Sequence, residues 1–148
     1  MKKIFYTILM LIIFNISYSL NFTAAPVSFE IDLNKAVTEE IFLINNTPTP
    51  LRIEAYVDTL EGYEEKNLNS NIVIFPKKIS IKPGGKQVIR FRVKPSENME
   101  KGKYKSLLVF QEIPSKIEEN ITGETSKNVS AGFKLITELA IIVTGVKE

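Results

Sequence analysis

The chain has 148 residues, a formal net charge of +2 and no histidine, cysteine or tryptophan. Without histidine, cysteine and tryptophan it lacks most of the usual general bases, thiol nucleophiles and zinc ligands, and only carboxylates, hydroxyls and lysines remain for chemistry. We therefore expect a non-enzymatic protein with no metal and no cofactor. The near-neutral charge, without aromatic residues interleaved among lysines, also predicts no binding to nucleic acid.

The first 19 residues have the pattern of a secretory signal peptide. Two lysines precede an apolar run at residues 4–16, and Ser17 and Ser19 are small residues at the positions that a signal peptidase inspects. The run has about 13 residues, whereas a bilayer span needs about 20, so we expect cleavage after Ser19 rather than a retained anchor. The mature domain, residues 20–148, then carries 17 basic and 17 acidic residues. This predicts a periplasmic protein with no stable membrane insertion.

Short runs of alternating apolar and polar residues predict strands along the rest of the chain. A polar surface excursion at 61–70, with a short edge strand near Tyr63, and a long polar loop at 114–130 interrupt them. The predicted strands are residues 27–33, 37–45, 51–58, 72–75 with 79–81 beyond Pro76, 87–93, 102–113 and 131–143. No window keeps a helical period for three turns. About seven strands at this spacing predict one all-β domain, an immunoglobulin-like two-sheet sandwich.

The segment 76–94 gives the clearest local prediction. Pro83, Gly84 and Gly85 predict a tight turn, because proline sets φ and glycine tolerates positive φ. The strand after this turn is predicted to have one apolar and one basic face, with Ile89, Phe91 and Val93 alternating with Arg90 and Arg92. Arg90, Arg92 and Lys94 would form a basic stripe, either a solvated sheet face or a contact for an acidic partner or lipid headgroups.

Four segments, taken in chain order, resemble one known family. They are residues 40–47, 50–57, 81–90 and 110–114. The last of them, Phe-Gln-Glu-Ile-Pro, is similar to the end of the family's sixth strand, where an aromatic, acidic, Ile-Pro run precedes a long loop. The family is that of the periplasmic chaperones of bacterial chaperone-usher pilus assembly, and the resemblance is to their N-terminal immunoglobulin-like domain.

In that family the seventh strand lends alternating hydrophobic side chains to an unfinished pilus subunit and completes its sheet. The resemblance implies this subunit-binding role for Ala131, Phe133 and Leu135. An exposed edge supplies backbone hydrogen bonds, and every second side chain fills a pocket of the partner. The alternative is that all three residues belong to the core of an ordinary sandwich.

Two features depart from the family pattern. The family grips the terminal carboxylate of the subunit with a basic residue in the first strand and another in the seventh, whereas the matching positions here hold Pro26 and Ala140. Lys134, or a lysine of the long loop, is an alternative anchor. The family also has a second immunoglobulin-like domain, and this chain ends at Glu148, so the cleft between two domains is not expected within it.

The resemblance implies an exported chaperone-like domain that assists the assembly of pilus or surface-fibre subunits by edge-strand pairing. Its expected partners are a pilin-like exported subunit and an outer-membrane usher. The alternative function is structural, as a fibre subunit or an accessory cell-surface immunoglobulin-like module. Both functions use a sandwich, so strand alternation does not separate them.

Overall fold

The computed structural model describes residues 20–114 and 136–148. Within these two ranges the chain forms strands and one turn of 3-10 helix, Asn69–Asn71. The strands are β1 Phe22–Ala25, β2 Ser28–Asp32, β3 Val37–Asn45, β4 Leu51–Asp58, β5 Ile72–Phe75, β6 Lys78–Ile81, β7 Lys86–Val93, β8 Gly102–Glu112 and β9 Glu138–Lys147.

The strands form two sheets that pack face to face. One has four strands in the order β1-β3-β7-β5, and the other has five in the order β2-β9-β8-β4-β6. Every neighbouring pair is antiparallel except β2 and β9, which run parallel. The predicted all-β, immunoglobulin-like two-sheet sandwich is confirmed.

At two prolines the chain passes from one sheet to the other. The chain leaves the four-stranded sheet after β1 and enters the five-stranded sheet at β2, with Pro26 between them; β5 and β6 do the same at Pro76. Proline has no N–H to donate, so a ladder is interrupted where it stands. The prediction of one broken strand at 72–81 was therefore wrong in placing both halves together. The other six predicted strands correspond to β2, β3, β4, β7, β8 and β9, and β1 was not predicted.

The core lies between the sheets and is filled by alternate side chains of both. The predicted alternation of β7 is confirmed, since Ile89, Phe91 and Val93 are buried and its two arginines are exposed. Phe29 and Phe91, one from each sheet, pack edge to face with ring centroids 4.9 Å apart. The fully buried large side chains are Phe22, Phe91, Phe110, Leu33, Ile41, Leu43, Ile53, Leu68, Ile81, Ile89, Leu108 and Val93.

The turn between β6 and β7 has the predicted geometry. The N–H of Gly85 donates to the carbonyl oxygen of Lys82 at 2.8 Å, and Gly84 has φ +64°. Proline at the second position and a positive φ at the third are the marks of a type II turn. Because β6 and β7 lie in different sheets, this turn carries the chain across the sandwich and does not close a hairpin.

Asn45, the last residue of β3, is buried and connects three segments. Its side-chain Nδ2 donates to the carbonyl oxygens of Thr49 at 2.8 Å, Ile81 at 3.0 Å and Lys82 at 3.2 Å. Its Oδ1 accepts from the backbone N–H of Thr47 at 2.8 Å and from the hydroxyl of Thr47 at 2.7 Å. One amide thus holds the β3–β4 loop against the β6–β7 turn.

The polar excursion after β4 is a surface segment, as predicted, but the short strand expected near Tyr63 was a wrong prediction. The N–H of Tyr63 donates to the carbonyl of Leu60 at 2.9 Å, which closes a turn. The segment returns to the core at Leu68, whose side chain is fully buried. Two or three alternating residues suggested a strand here, but hydrogen bonds within the turn satisfy the backbone instead of strand pairing.

Replacing Ser106 by alanine should loosen this excursion. The buried Ser106 hydroxyl accepts from the N–H of Leu68 at 2.7 Å and donates to Oδ1 of Asn69 at 2.6 Å. Removing it leaves a buried N–H without a partner, so we expect the free energy of unfolding to fall by about 1–3 kcal/mol. Urea unfolding followed by circular dichroism measures this. Ser80→Ala, an exposed serine of β6, is the control and should change stability little; equal effects would contradict the explanation.

Candidate functional site

The final strand, β9, is covered on one side only along part of its length. Strand β8 pairs with β9 from Glu138 to Lys147, whereas β2 pairs only with the part from Ile142 to Val146. Among the residues that the structure describes, no strand lies beside Glu138–Ile141 on the side away from β8. We call these four residues the open edge of β9.

The direction of the backbone groups along the open edge follows from one hydrogen bond. The N–H of Glu112 donates to the carbonyl of Thr137 at 2.9 Å, and in antiparallel pairs such bonding positions recur at every second residue. Leu139 and Ile141 therefore bond to β8, while Glu138 and Ala140 direct their N–H and C=O groups outward. The same alternation is found where β2 covers β9. There the N–H of Leu33 donates to the carbonyl of Val146 at 2.9 Å, so Val146, an even-numbered residue like Glu138 and Ala140, also faces away from β8.

The side chains of the open edge divide between the core and the solvent. Leu139 is half-buried against the core and Ile141 is buried, so the two side chains share the inner face. Glu138 and Ala140 are exposed on the outer face. The strand continues to Lys147, beyond the predicted end at 143. An edge with free backbone groups and an apolar inner face can accept a further strand.

The three predicted subunit-binding residues, Ala131, Phe133 and Leu135, lie outside the described residues. Their assignment stays a prediction. In sequence they precede the open edge at odd-numbered positions, the same alternation as Leu139 and Ile141.

Two carboxylates stand at the beginning of the open edge. Glu138 accepts from Nε2 of Gln111 at 3.0 Å and from the Tyr56 hydroxyl at 3.4 Å. The pKa of Tyr56 is raised, first by burial and then by the Glu138 carboxylate beside it. Glu112 accepts from Nδ2 of Asn21 at 2.8 Å. These carboxylates are held by neutral donors, an arrangement suited to fixing strand ends.

The positions matched to the family's basic anchors are Pro26 and Ala140. Pro26 is exposed at the crossover between β1 and β2, and Ala140 is exposed on the open edge. Neither side chain carries a charge, so neither can form the charge-assisted hydrogen bonds that grip a carboxylate.

The predicted basic stripe is on the outer face of the four-stranded sheet. Arg90, Arg92 and Lys94 are exposed there, and Nε of Arg90 lies 2.7 Å from Oε1 of Glu40 on β3. Exposed ion pairs of this kind contribute little to stability. The neutralising carboxylate favours the interpretation of the stripe as a solvated face.

The described ranges contain no group of three or more acidic residues placed to hold a metal ion. In the same ranges, no helix is long and apolar enough to cross a membrane.

No family model and no curated protein matches the chain, but its fold is shared by many solved structures. The Escherichia coli chaperone DraB matches with a TM-score of 0.60 and 12% identity, over 86% of this chain and 56% of DraB. The Salmonella enterica SafA pilin complex with the SafB chaperone matches with a TM-score of 0.60 and 11% identity, over 89% of this chain and 57% of the matched chain. The chain thus spans somewhat more than half the length of the chaperone chains it matches.

A structure from outside pilus assembly has the same fold. The PapD-like domain 7 of human CEP192 matches with a TM-score of 0.58 and 12% identity, over 90% of this chain and 91% of that domain. At such identities the likeness shows the fold alone. The chain has the PapD-like, immunoglobulin-like fold of periplasmic pilus chaperones, and its resemblance to their N-terminal domain is confirmed at the level of fold.

Proposed function

We propose that the chain is an exported, non-enzymatic chaperone-like domain that binds a pilus or surface-fibre subunit by edge-strand pairing along β9. The observation that supports this most directly is the open edge, where Glu138 and Ala140 direct backbone groups away from β8. Its structural neighbours include a chaperone solved with the SafA pilin and a chaperone–tip adhesin complex of CFA/I fimbriae. The proposed location is the periplasm, and an outer-membrane usher is the proposed second partner.

The proposed binding mode uses both the backbone and the side chains of the final strand. A subunit strand would pair with the outward N–H and C=O groups, and Ala131, Phe133 and Leu135 would fill pockets in the subunit at every second position. The backbone bonds supply affinity for any extended segment, whereas the side chains select the subunit. The subunit strand would stop at Ile142, because β2 already occupies the edge from that residue onward.

The test is a double substitution, Phe133→Glu and Leu135→Glu, in protein co-expressed with the pilin-like subunit encoded nearest to it in the genome. Charged side chains cannot enter apolar pockets without a large desolvation cost, so we expect at least a tenfold loss of co-purified subunit. Val146→Glu is the matched control, because Val146 is a 39% exposed apolar residue of the same strand where β2 covers the edge. The control should retain the subunit.

Circular dichroism must show that the double variant is folded. Recovery of the subunit by this folded variant at the wild-type level would refute donor-strand binding. Loss of the subunit from both the double variant and Val146→Glu would point to a general effect of charge on β9.

The second candidate function is structural, as a fibre subunit or an accessory surface module. The match to the PapD-like domain 7 of human CEP192 supports it, because the fold there makes up almost the whole of the matched domain. Size-exclusion chromatography separates the two candidates. A fibre subunit should give ladders or polymers, whereas a chaperone should elute as a monomer or a small oligomer.

A further inference from the structure

The edge strand β5 is unusually apolar. It lies at the end of the four-stranded sheet and consists of Ile72, Val73, Ile74 and Phe75, with no charged residue. Ile72 and Ile74 are buried in the core, but Val73 is 64% exposed and Phe75 is 77% exposed on the outer face. An exposed apolar edge can pair with another strand.

The other three edge strands are protected. Strand β2 carries Glu30 and Asp32, and β6 begins at Lys78, which forms an ion pair with Glu54. Strand β1 exposes only small side chains and is followed by a proline. Charges, small residues and proline are the usual means of keeping an edge from pairing. Strand β5 is likewise followed by a proline, Pro76, but its four residues include no charged residue and no small residue.

The backbone groups of β5 that face outward can be identified. The N–H of Lys94 donates to the carbonyl of Asn71 at 2.9 Å, so Val73 and Phe75, at every second residue, bond to β7. The bonding on the other side of β7 agrees with this assignment. The N–H of Asn45 donates to the carbonyl of Gly85, so the odd-numbered residues of β7 bond to β3 and the even-numbered ones bond to β5. The N–H and C=O groups of Ile72 and Ile74 therefore point to the open side of the sheet.

We propose that β5 pairs antiparallel with β5 of a second copy of this chain, across a two-fold axis at Val73. In this register Ile72 of one copy lies opposite Ile74 of the second copy. The N–H of Ile72 donates to the carbonyl of this Ile74, and the N–H of the same Ile74 donates to the carbonyl of Ile72. The two-fold axis repeats this pair with the two copies exchanged, so four outward N–H groups and four carbonyl groups form four hydrogen bonds in all. Val73 of each copy faces its equivalent, and the two four-stranded sheets become one sheet of eight strands.

A second copy fits this edge better than a different protein does. The outward side chains carry no charge and no hydrogen-bonding group that would select another sequence, whereas an identical edge is complementary in both backbone pattern and apolar character. The contact is short, well below the roughly 1,000 Å² that a stable interface needs. The dimer is therefore weak and forms as the protein concentration rises.

Sedimentation velocity over a broad concentration series tests the proposal. The wild-type protein should shift from monomer to dimer, and the double variant Val73→Lys, Phe75→Lys should raise the dissociation constant at least tenfold. Ile44→Lys is the matched control, since Ile44 is 38% exposed on the same outer face but lies on β3. A monomeric wild type throughout, or equal weakening by the control, would overturn the proposal.

Hydrogen exchange of the unmodified protein provides a test that needs no substitution. The amides of Ile72 and Ile74 should exchange more slowly as the dimer forms. Those of Val73 and Phe75, already bonded to β7, should be slow at every concentration. A dimer that leaves the Ile72 and Ile74 amides unchanged uses a different surface and excludes pairing through β5.

Discussion

Replacing Asn45 by alanine is expected to lower the free energy of unfolding by about 3 kcal/mol. The substitution removes the amide that joins the β3–β4 loop to the β6–β7 turn, and with it the acceptor of the Thr47 N–H and a donor to the carbonyl of Ile81. Asn45 is fully buried, so water does not replace these bonds without rearrangement. Denaturant unfolding followed by circular dichroism measures the loss.

The neighbouring residue provides the control for this prediction. Asn46 has the same side chain but is exposed, and its one side-chain bond goes to the carbonyl of Leu20 at 3.0 Å. Asn46→Ala should cost less than about 1 kcal/mol. If the two alanine variants were equally stable, the amide of Asn45 would not be the connection that the geometry indicates.

A proline at position 140 should abolish subunit binding while the domain stays folded. The N–H of Ala140 faces the open edge and makes no bond to β8, so proline removes a donor that only a partner strand would use. We expect at least a tenfold loss of the co-expressed subunit, with the thermal transition retained. Capture at the wild-type level would show that the backbone of the open edge is not used.

Leu139→Pro is the counterpart of this variant. The N–H of Leu139 faces β8, where its register partner is Phe110, and its side chain is half-buried against the core. Proline there breaks the ladder between β8 and β9 and should cost about 3 kcal/mol of stability. Adjacent residues therefore separate the two roles of β9, one in binding and one in folding.

The local structure of the sandwich follows from the sequence because strands have a period of two. Ile89, Phe91 and Val93 indicate a strand with one buried face, and Pro83 with Gly84 indicates the turn before it. Both are found. Strand β1 has no local signature, because Phe22–Ala25 is four residues long and only Phe22 is a large apolar residue. Its pairing with β3 comes from the tertiary structure.

The arrangement of the strands could not be predicted from local pattern. Pro76 indicates an interruption, but the separation of β5 from β6 depends on their distant partners β7 and β4. The position of the open edge also depends on distant partners. It ends where β2 begins to pair with β9, at Ser28 and Ile142. The sequence predicted an exposed edge through the family resemblance, and its location needed the register of both strands.

The two proline crossovers have a mechanical consequence for the sandwich. β1 and β2 are edge strands of different sheets, as are β5 and β6, so the chain closes both flanks of the core by passing from one sheet to the other. Because the chain is continuous across each crossover, one sheet cannot separate from the other unless an edge strand of the other sheet also unpairs. The core amides of both sheets should therefore become exposed in one concerted event, and the domain should resist pulling as a single body.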